Sequence, residues 1–236
     1  MTFSISDLSV VIPTLNEESV IVQTISSLYN RTGDGPGEII VVDGGSIDRT
    51  IEIAKNAGAT VLQTKRGRGR QLAEGGNLAS GSWLLFLHAD TQLQNGWHDS
   101  IVSFISRASL TKQNVAAFRF KLDDDSFAAR FLECLVAIRS GFFHLPWGDQ
   151  GLLISASHYR AIGGYKNLFV MEDVEIIQRI GFSHVRIIGV DAVTSAKKYK
   201  KHGYIRKSLH NLFCLFCFYF GMSTVWLDRQ YNNKYK

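Results

Sequence analysis

The chain has 236 residues, 45% hydrophobic and 20% charged, with 26 Lys+Arg against 21 Asp+Glu and a formal net charge of +5. This length and balance specify a globular domain, or one with an appendage, and exclude disordered, collagenous and small disulfide-stapled classes. Three cysteines, Cys134, Cys214 and Cys217, are an odd number, and two sit inside an apolar run, which suits a reducing, cytoplasmic setting.

The first eighteen residues lack the basic and apolar regions of a secretory signal. Leu8–Ile12 (LSVVI) is a continuous, β-branched apolar run closed by Pro13, as expected of a strand buried on both faces. Glu17–Tyr29 carries Val20, Ile21, Ile25 and Leu28 at helical spacing. Ile39–Val42 predicts a second strand, ending at Asp43-Gly44-Gly45-Ser46, with a helix over Ile47–Ala57 and Ser46 as its N-cap. Thr60–Leu62 reads as a strand, Gly69–Ala79 as a helix, and Trp83–Leu87 as a strand ending at His88-Ala89-Asp90. Alternation of this kind predicts an α/β fold with a mainly parallel sheet and helices on both faces. Ligands bind such sheets beyond the carboxyl ends of the strands, where Thr14, Asn16, Glu17, Asp43, His88 and Asp90 converge.

Further along, Trp97–Ile105 reads as a helix, Ala116–Leu122 as a strand, and Phe127–Ser140 as an amphipathic helix after the acidic turn Asp123-Asp124-Asp125. Trp147-Gly148-Asp149-Gln150-Gly151 precedes a short strand over Leu152–Ser155, and Met171-Glu172-Asp173-Val174-Glu175 opens a helix ending near Ile180-Gly181. Basic residues fall into two groups, Lys65 to Arg70 and Lys197 to Lys207, a distribution that suits a diphosphate pocket between two segments as well as a polyanion stripe. The second group is expected to be a solvated or membrane-facing surface. Leu212–Leu227 is too short to span a membrane and reads as a helix that is buried, lies on a membrane surface or forms a dimer contact. Cys214 and Cys217 inside it are expected to be packing residues rather than metal ligands.

Four stretches in this order, VVIPTLNEE (Val10–Glu18), IIVVDGGSIDRT (Ile39–Thr50), ASGSWLLFLHADT (Ala79–Thr91) and GGYKNLFVMEDVEIIQRIG (Gly163–Gly181), resemble family 2 glycosyltransferases of the GT-A fold. With GRGRQ (Gly67–Gln71) and WGDQG (Trp147–Gly151), they are similar to the arsenosugar-biosynthesis-type subgroup. The resemblance implies a Rossmann-like mixed sheet over residues 1–195, with a nucleotide-sugar half at about 1–92, an acceptor half at about 93–195, and a basic and apolar helical tail over 196–236.

It further implies inverting transfer of a sugar from a nucleotide-diphosphate donor to an acceptor hydroxyl, with Asp173 as general base and no covalent intermediate. Thr14, Asn16, Glu17 and Asp43 match the segments around the nucleotide, and Arg68 and Arg70 lie where relatives place cations near the diphosphate. Asp90 matches the last position of an acidic-x-acidic metal motif whose first position is His88, a ligand that Mn²⁺ tolerates better than Mg²⁺ does. Trp147, Asp149, Gln150 and Glu172 are expected to contact the acceptor or the donor sugar. The alternatives are a lipid- or carotenoid-like acceptor, reached from the inner face of a membrane, and a nucleotidyltransferase on a similar scaffold. Against the latter, Pro13–Glu18 contains no glycine-rich phosphate loop. Nucleic acid is not an expected partner.

Overall fold

The computed structural model describes residues 3–30, 32–111, 115–142 and 145–233. Its strands are β1 (Leu8–Thr14), β2 (Glu38–Asp43), β3 (Thr60–Gln63), β4 (Trp83–Phe86), β5 (Thr91–Leu93), β6 (Val115–Leu122), β7 (Leu152–Ser155) and β8 (Val185–Thr194). The helices are α1 (Ile21–Ser26), α2 (Thr50–Asn56), α3 (Arg68–Leu78), α4 (Trp97–Thr111), α5 (Phe127–Phe142), α6 (Ala156–Ala161), α7 (Glu172–Ile180), α8 (Lys197–His202), α9 (Tyr204–Tyr219) and α10 (Thr224–Asn233).

All eight strands form one sheet in the order β3-β2-β1-β4-β7-β6-β8-β5. β1, β2, β3 and β4 pair in parallel, β7 runs antiparallel to both β4 and β6, β8 is parallel to β6, and β5 is antiparallel to β8. This is the expected mixed α/β architecture. Its strand directions place the site. The carboxyl ends of β1, β2 and β4, the start of β7 and the end of β8 all fall on one edge, because β7 is reversed and β8 is not. The turn before β7 is thereby delivered beside His88 and the segment after β8 beside Asp90.

The continuous apolar runs of β1, β2 and β4 follow from burial on both faces. Val10, Val41 and Leu85 enter one core with Ile25 of α1 and Ile101 of α4, whereas Val11, Val42 and Leu84 enter the other with Leu72 of α3 and Val174 and Ile177 of α7.

Several local expectations are corrected. Ser46 does not cap a helix: α2 begins at Thr50, and the Ser46 hydroxyl donates to Asp43 instead. The first helix is shorter than Glu17–Tyr29, since residues 16–18 are tied to the loop after β2. β5, α6 and β8 were not anticipated. The apolar tail is two helices, not one, because the chain turns at Gly221, whose φ of +78° ends α9 and suits glycine. Cys214 and Cys217 are buried there against Val170 and Leu227, as packing residues. No helix among the described residues is long and apolar enough to cross a membrane.

Candidate active site

The first wall of the site is the pair of loops that follow β1 and β2. Asp43 is fully buried, and its carboxylate accepts from the Thr14 hydroxyl (3.2 Å), the Ser46 hydroxyl, and the backbone N–H groups of Gly45 (2.9 Å) and Ser46 (2.8 Å). Asp43 therefore shapes the Asp-Gly-Gly-Ser turn. Asn16, in the left-handed region at φ 56°, donates its N–H to Ser46 Oγ (2.8 Å) and accepts the Ile47 N–H on Oδ1 (2.9 Å). The Glu17 N–H donates to Thr50 Oγ1 (2.8 Å). Sequence reasoning missed Gln71, whose buried amide donates to the carbonyls of Thr14 and Val42, each at 2.8 Å, and so ties β1 to β2. Its signal was available: Gln71 lies four residues before Gly75 on the buried stripe of α3.

The second wall joins β4, the turn before β7 and the start of α7. A Cβ placed on Gly148 would lie 2.5 Å from His88 Nε2 and 3.5 Å from Asp173 Oδ2. The three groups meet, and only glycine fits between them. The Gly148 N–H donates to Asp173 Oδ2 (2.8 Å), while Asp173 Oδ1 accepts the Val174 N–H (2.8 Å) at the first turn of α7. One lone pair on each oxygen stays available. Burial, reinforced by Arg68, holds the His88 imidazole well below its ordinary value against the pull of Asp90 and Asp173, so it is neutral at neutral pH.

Glu172 is 1% exposed, and Arg68 Nη1 lies 3.3 Å from its Oε1 without hydrogen-bond alignment. Burial pushes its carboxyl up to about 7; Arg68 opposes the rise and Asp173 adds to it. A carboxyl raised by burial beside a single charge partner makes Glu172 a candidate functional group. Glu175 is different. It is paired with Lys166 and Arg179, each at 2.6 Å, and Arg179 also holds the carbonyls of Ile162 and Gly164. That network fastens the loop leading into α7. Arg70 donates to Asn167 Oδ1 (3.3 Å), so Arg68 faces Glu172 while Arg70 lies on the loop side.

In the turn before β7, Gln150 is 1% exposed and spends its amide inside the protein. Its Oε1 accepts from Ser140 (2.7 Å) and Arg139 (3.1 Å), and its Nε2 donates to Phe118 O (2.9 Å). The Arg139 guanidinium lies 3.7 Å over the Trp147 ring. Trp147 Nε1 and Asp149 Oδ1 are buried with no hydrogen-bond partner among the described residues. Burial pushes the Asp149 carboxyl up to about 6, with Arg139 opposing and Asp173 adding.

Lys197, Lys200, Lys201 and Arg206 of the basic tail are exposed, as a solvated surface requires, but two of its lysines depart from that pattern. Lys198 Nζ lies 3.0 Å from Asp90 Oδ2, and Lys207 is 6% exposed. Asp90 and Glu17 hold the Lys198 ammonium above its ordinary value against burial and Arg68, whereas burial, with Lys198 and Arg68, lowers Lys207 to about 8. Burial opposes ionisation of Asp90, but Lys198, with His88 and Arg68, outweighs it and keeps the carboxyl low. Burial raises the Glu17 carboxyl, with Lys198 opposing.

Among the described residues no group of three or more His, Cys, Asp or Glu side chains forms a metal cluster. The ammonium on Asp90 nonetheless marks a position that accepts positive charge. Asp90 with the neutral imidazole of His88 fits an ion that takes its other ligands from bound oxygen groups.

The sequence profile of Glycosyl transferase family 2 matches residues 9–161, more than half of the chain. The chain belongs to glycosyl transferase family 2. A PGL/p-HBAD biosynthesis glycosyltransferase of Mycobacterium bovis is 39% identical over 92 residues, a match spanning 36% of this family member and 36% of that relative. The chain thus matches about a third of that curated relative's length. The fold is similar to a mannosyltransferase from Pyrobaculum calidifontis in complex with GDP-Man and Mn²⁺, with TM-score 0.63 and 19% identity over 85% of this chain and 60% of that one. It is also similar to glucosyl-3-phosphoglycerate synthase from Mycobacterium tuberculosis in complex with Mn²⁺, UDP and glucosyl-3-phosphoglycerate, with TM-score 0.55 and 22% identity over 87% and 78%.

Proposed function

We propose that this family 2 protein is an inverting glycosyltransferase that moves a sugar from a nucleotide-diphosphate donor to an acceptor hydroxyl. One observation carries the reading: Gly148, in the turn before β7, meets both His88, two residues before Asp90 at the end of β4, and Asp173 at the start of α7. The nucleotide lies against the walls built by Thr14, Asn16, Glu17 and Asp43, in the half of the domain before about residue 92. The rest of the sheet and its helices form the acceptor half, and Lys198 of α8 reaches Asp90 from the tail that follows. UDP and GDP-Man with Mn²⁺ in the two solved relatives support a nucleotide-diphosphate donor and a divalent ion here. Asp90 and His88 would hold that ion, which supplies positive charge against the departing diphosphate. The Asp-Gly-Gly-Ser, GRGRQ and WGDQG stretches support a place near the arsenosugar-type subgroup.

In the reaction, the acceptor oxygen forms a bond to the anomeric carbon as the bond from that carbon to the diphosphate oxygen breaks. Asp173 takes the acceptor proton on a carboxylate held in place by the Gly148 N–H at Oδ2 and the Val174 N–H at Oδ1. Arg68 and Lys198 face the charge that grows on the leaving diphosphate. Glu172, buried beside the base, is placed to bind a hydroxyl of the donor sugar, and Gln150 positions the turn that carries Gly148. Calorimetric titration of UDP, GDP, CDP and dTDP, each with and without Mn²⁺ or Mg²⁺, tests the donor class. Tight, metal-dependent binding of one of them is expected; binding of none removes the reading.

A further inference from the structure

Helix α9 carries its polarity reversed. Its polar side chains Lys207, His210 and Asn211 are buried, while Ile205, Leu209, Leu212, Phe213, Phe216 and Tyr219 line its exposed side. Among the described residues of α9, Arg206 is the one exposed charge. α5 repeats the arrangement, with Phe127, Phe131, Leu135, Ile138 and Phe142 exposed at spacings of three and four residues and no charged residue of that helix fully exposed among the described ones. The two stripes are neighbours. Leu135 and Leu212 line one groove between the helices, and Tyr204 at the start of α9 donates its hydroxyl to Asp124 just before α5, so both helices begin at one place. With 16 residues each, they run about 24 Å and form an apolar patch of the kind that marks a contact surface.

Charge at the rim selects what covers this patch. α8 lies at the shared start of the two helices, where Tyr199 stacks on Tyr204 at 5.5 Å and Lys200 Nζ lies 3.6 Å from Asp124 Oδ1. The acids at this end are already engaged, Asp123 by the Ala196 N–H (2.6 Å), Asp124 by Tyr204 and Lys200, and Asp125 by Arg130 (3.2 Å). Lys197 and Lys201, one turn apart on α8, and Arg206 are exposed and enter no ion pair among the described residues. Three unpaired cations beside two apolar stripes match anionic headgroups over hydrocarbon. A second copy would bring the same cations with its own stripes, and a nucleic acid would leave the stripes uncovered.

We propose that the exposed faces of α5 and α9 lie on an anionic phospholipid surface, with Lys197, Lys201 and Arg206 at the headgroups and the stripes against the acyl boundary. This surface is independent of the glycosyl-transfer reading. α8 also brings Lys198 to Asp90, so the cleft lies within one short helix of the membrane.

The test sediments the full chain with vesicles of phosphatidylcholine alone and of phosphatidylcholine carrying phosphatidylglycerol. The anionic vesicles should bind it at least about ten-fold more tightly, since each cation near the surface adds about five-fold. Salt should narrow that difference by screening. Phe131→Ser and Phe216→Ser alter residues already 57% and 60% exposed, so the fold tolerates them, and each should weaken binding to both kinds of vesicle about five-fold. Lys201→Gln and Arg206→Gln should each weaken binding to the anionic vesicles about five-fold and leave the neutral ones unchanged. Absence of binding, equal binding to both kinds of vesicle, or binding that the two phenylalanine variants leave unchanged overturns the proposal. A dimer in the analytical ultracentrifuge that Phe131→Ser and Phe216→Ser dissociate assigns the face to a second copy and overturns it as well.

Discussion

Lys198 Nζ sits 3.0 Å from Asp90 Oδ2, across 108 residues of chain, and places a cation from the tail on the carboxylate at the end of β4. β8 makes this contact possible by ending on the same edge as β4, with the Ser195 N–H donating to the Asp90 carbonyl at 3.0 Å. An ammonium and a divalent ion compete for one carboxylate. Lys198→Met should therefore raise the affinity for Mn²⁺ alone by at most about five-fold, the size of a half-exposed ion pair. Asp90→Asn should abolish the metal dependence of nucleoside diphosphate binding. Electron paramagnetic resonance of free Mn²⁺ reads both, and an unchanged Mn²⁺ affinity in Lys198→Met would show that the two cations do not share the site.

Asp173→Asn keeps the shape and the hydrogen bond from Gly148 but removes the proton acceptor. Nucleoside diphosphate affinity should stay within about two-fold, while turnover falls roughly a hundred- to ten-thousand-fold. Near-normal turnover in this variant would take the base role away from Asp173.

The β-α alternation through β4 was legible because parallel strands covered on both faces must be apolar at every position, as Val10 to Ile12 and Trp83 to Leu87 are. β8 was not. Its residues alternate between buried and partly exposed, Gly189 interrupts the run, and its pairing with β6 shifts register at Phe118/Arg119. Asp90 and Asp173 could be singled out because they close recognisable motifs. Lys198 could not, since a lysine in a basic run reads the same whether solvated or paired with a residue far away in sequence.

Glu172 gives a pH signature. Its folded value of about 7 lies above the ordinary 4.5, so between those pH values the folded chain holds a proton that the unfolded chain has lost. Its contribution therefore favours folding below about pH 4.5 and declines as pH rises to about 7, by up to ~3 kcal/mol. Glu172→Gln removes that decline. The variant should match the parent near pH 4.5 and be the more stable protein at pH 8, as read by urea unfolding. Parallel stability curves for the two proteins would mean that Glu172 ionises freely in the folded state.

Gly148 is the point where substrate geometry and fold meet. A methyl group there would have to enter the space between His88 Nε2 at 2.5 Å and Asp173 Oδ2 at 3.5 Å, so Gly148→Ala must push the imidazole away or lift the turn off α7. Either movement disturbs the N–H that orients Asp173 and the spacing of Trp147 and Asp149 on its two sides. Overpacking of this kind costs about 1–3 kcal/mol of stability. The loss of turnover should be larger, at least about ten-fold, because a shift of about 1 Å at the base is felt in the reaction more than in the fold. Thermal melts and turnover measured on the same preparation separate the two effects. If Gly148→Ala lost stability but kept its turnover, the contact of His88, Gly148 and Asp173 would be a packing feature rather than the joint that aligns acceptor and base.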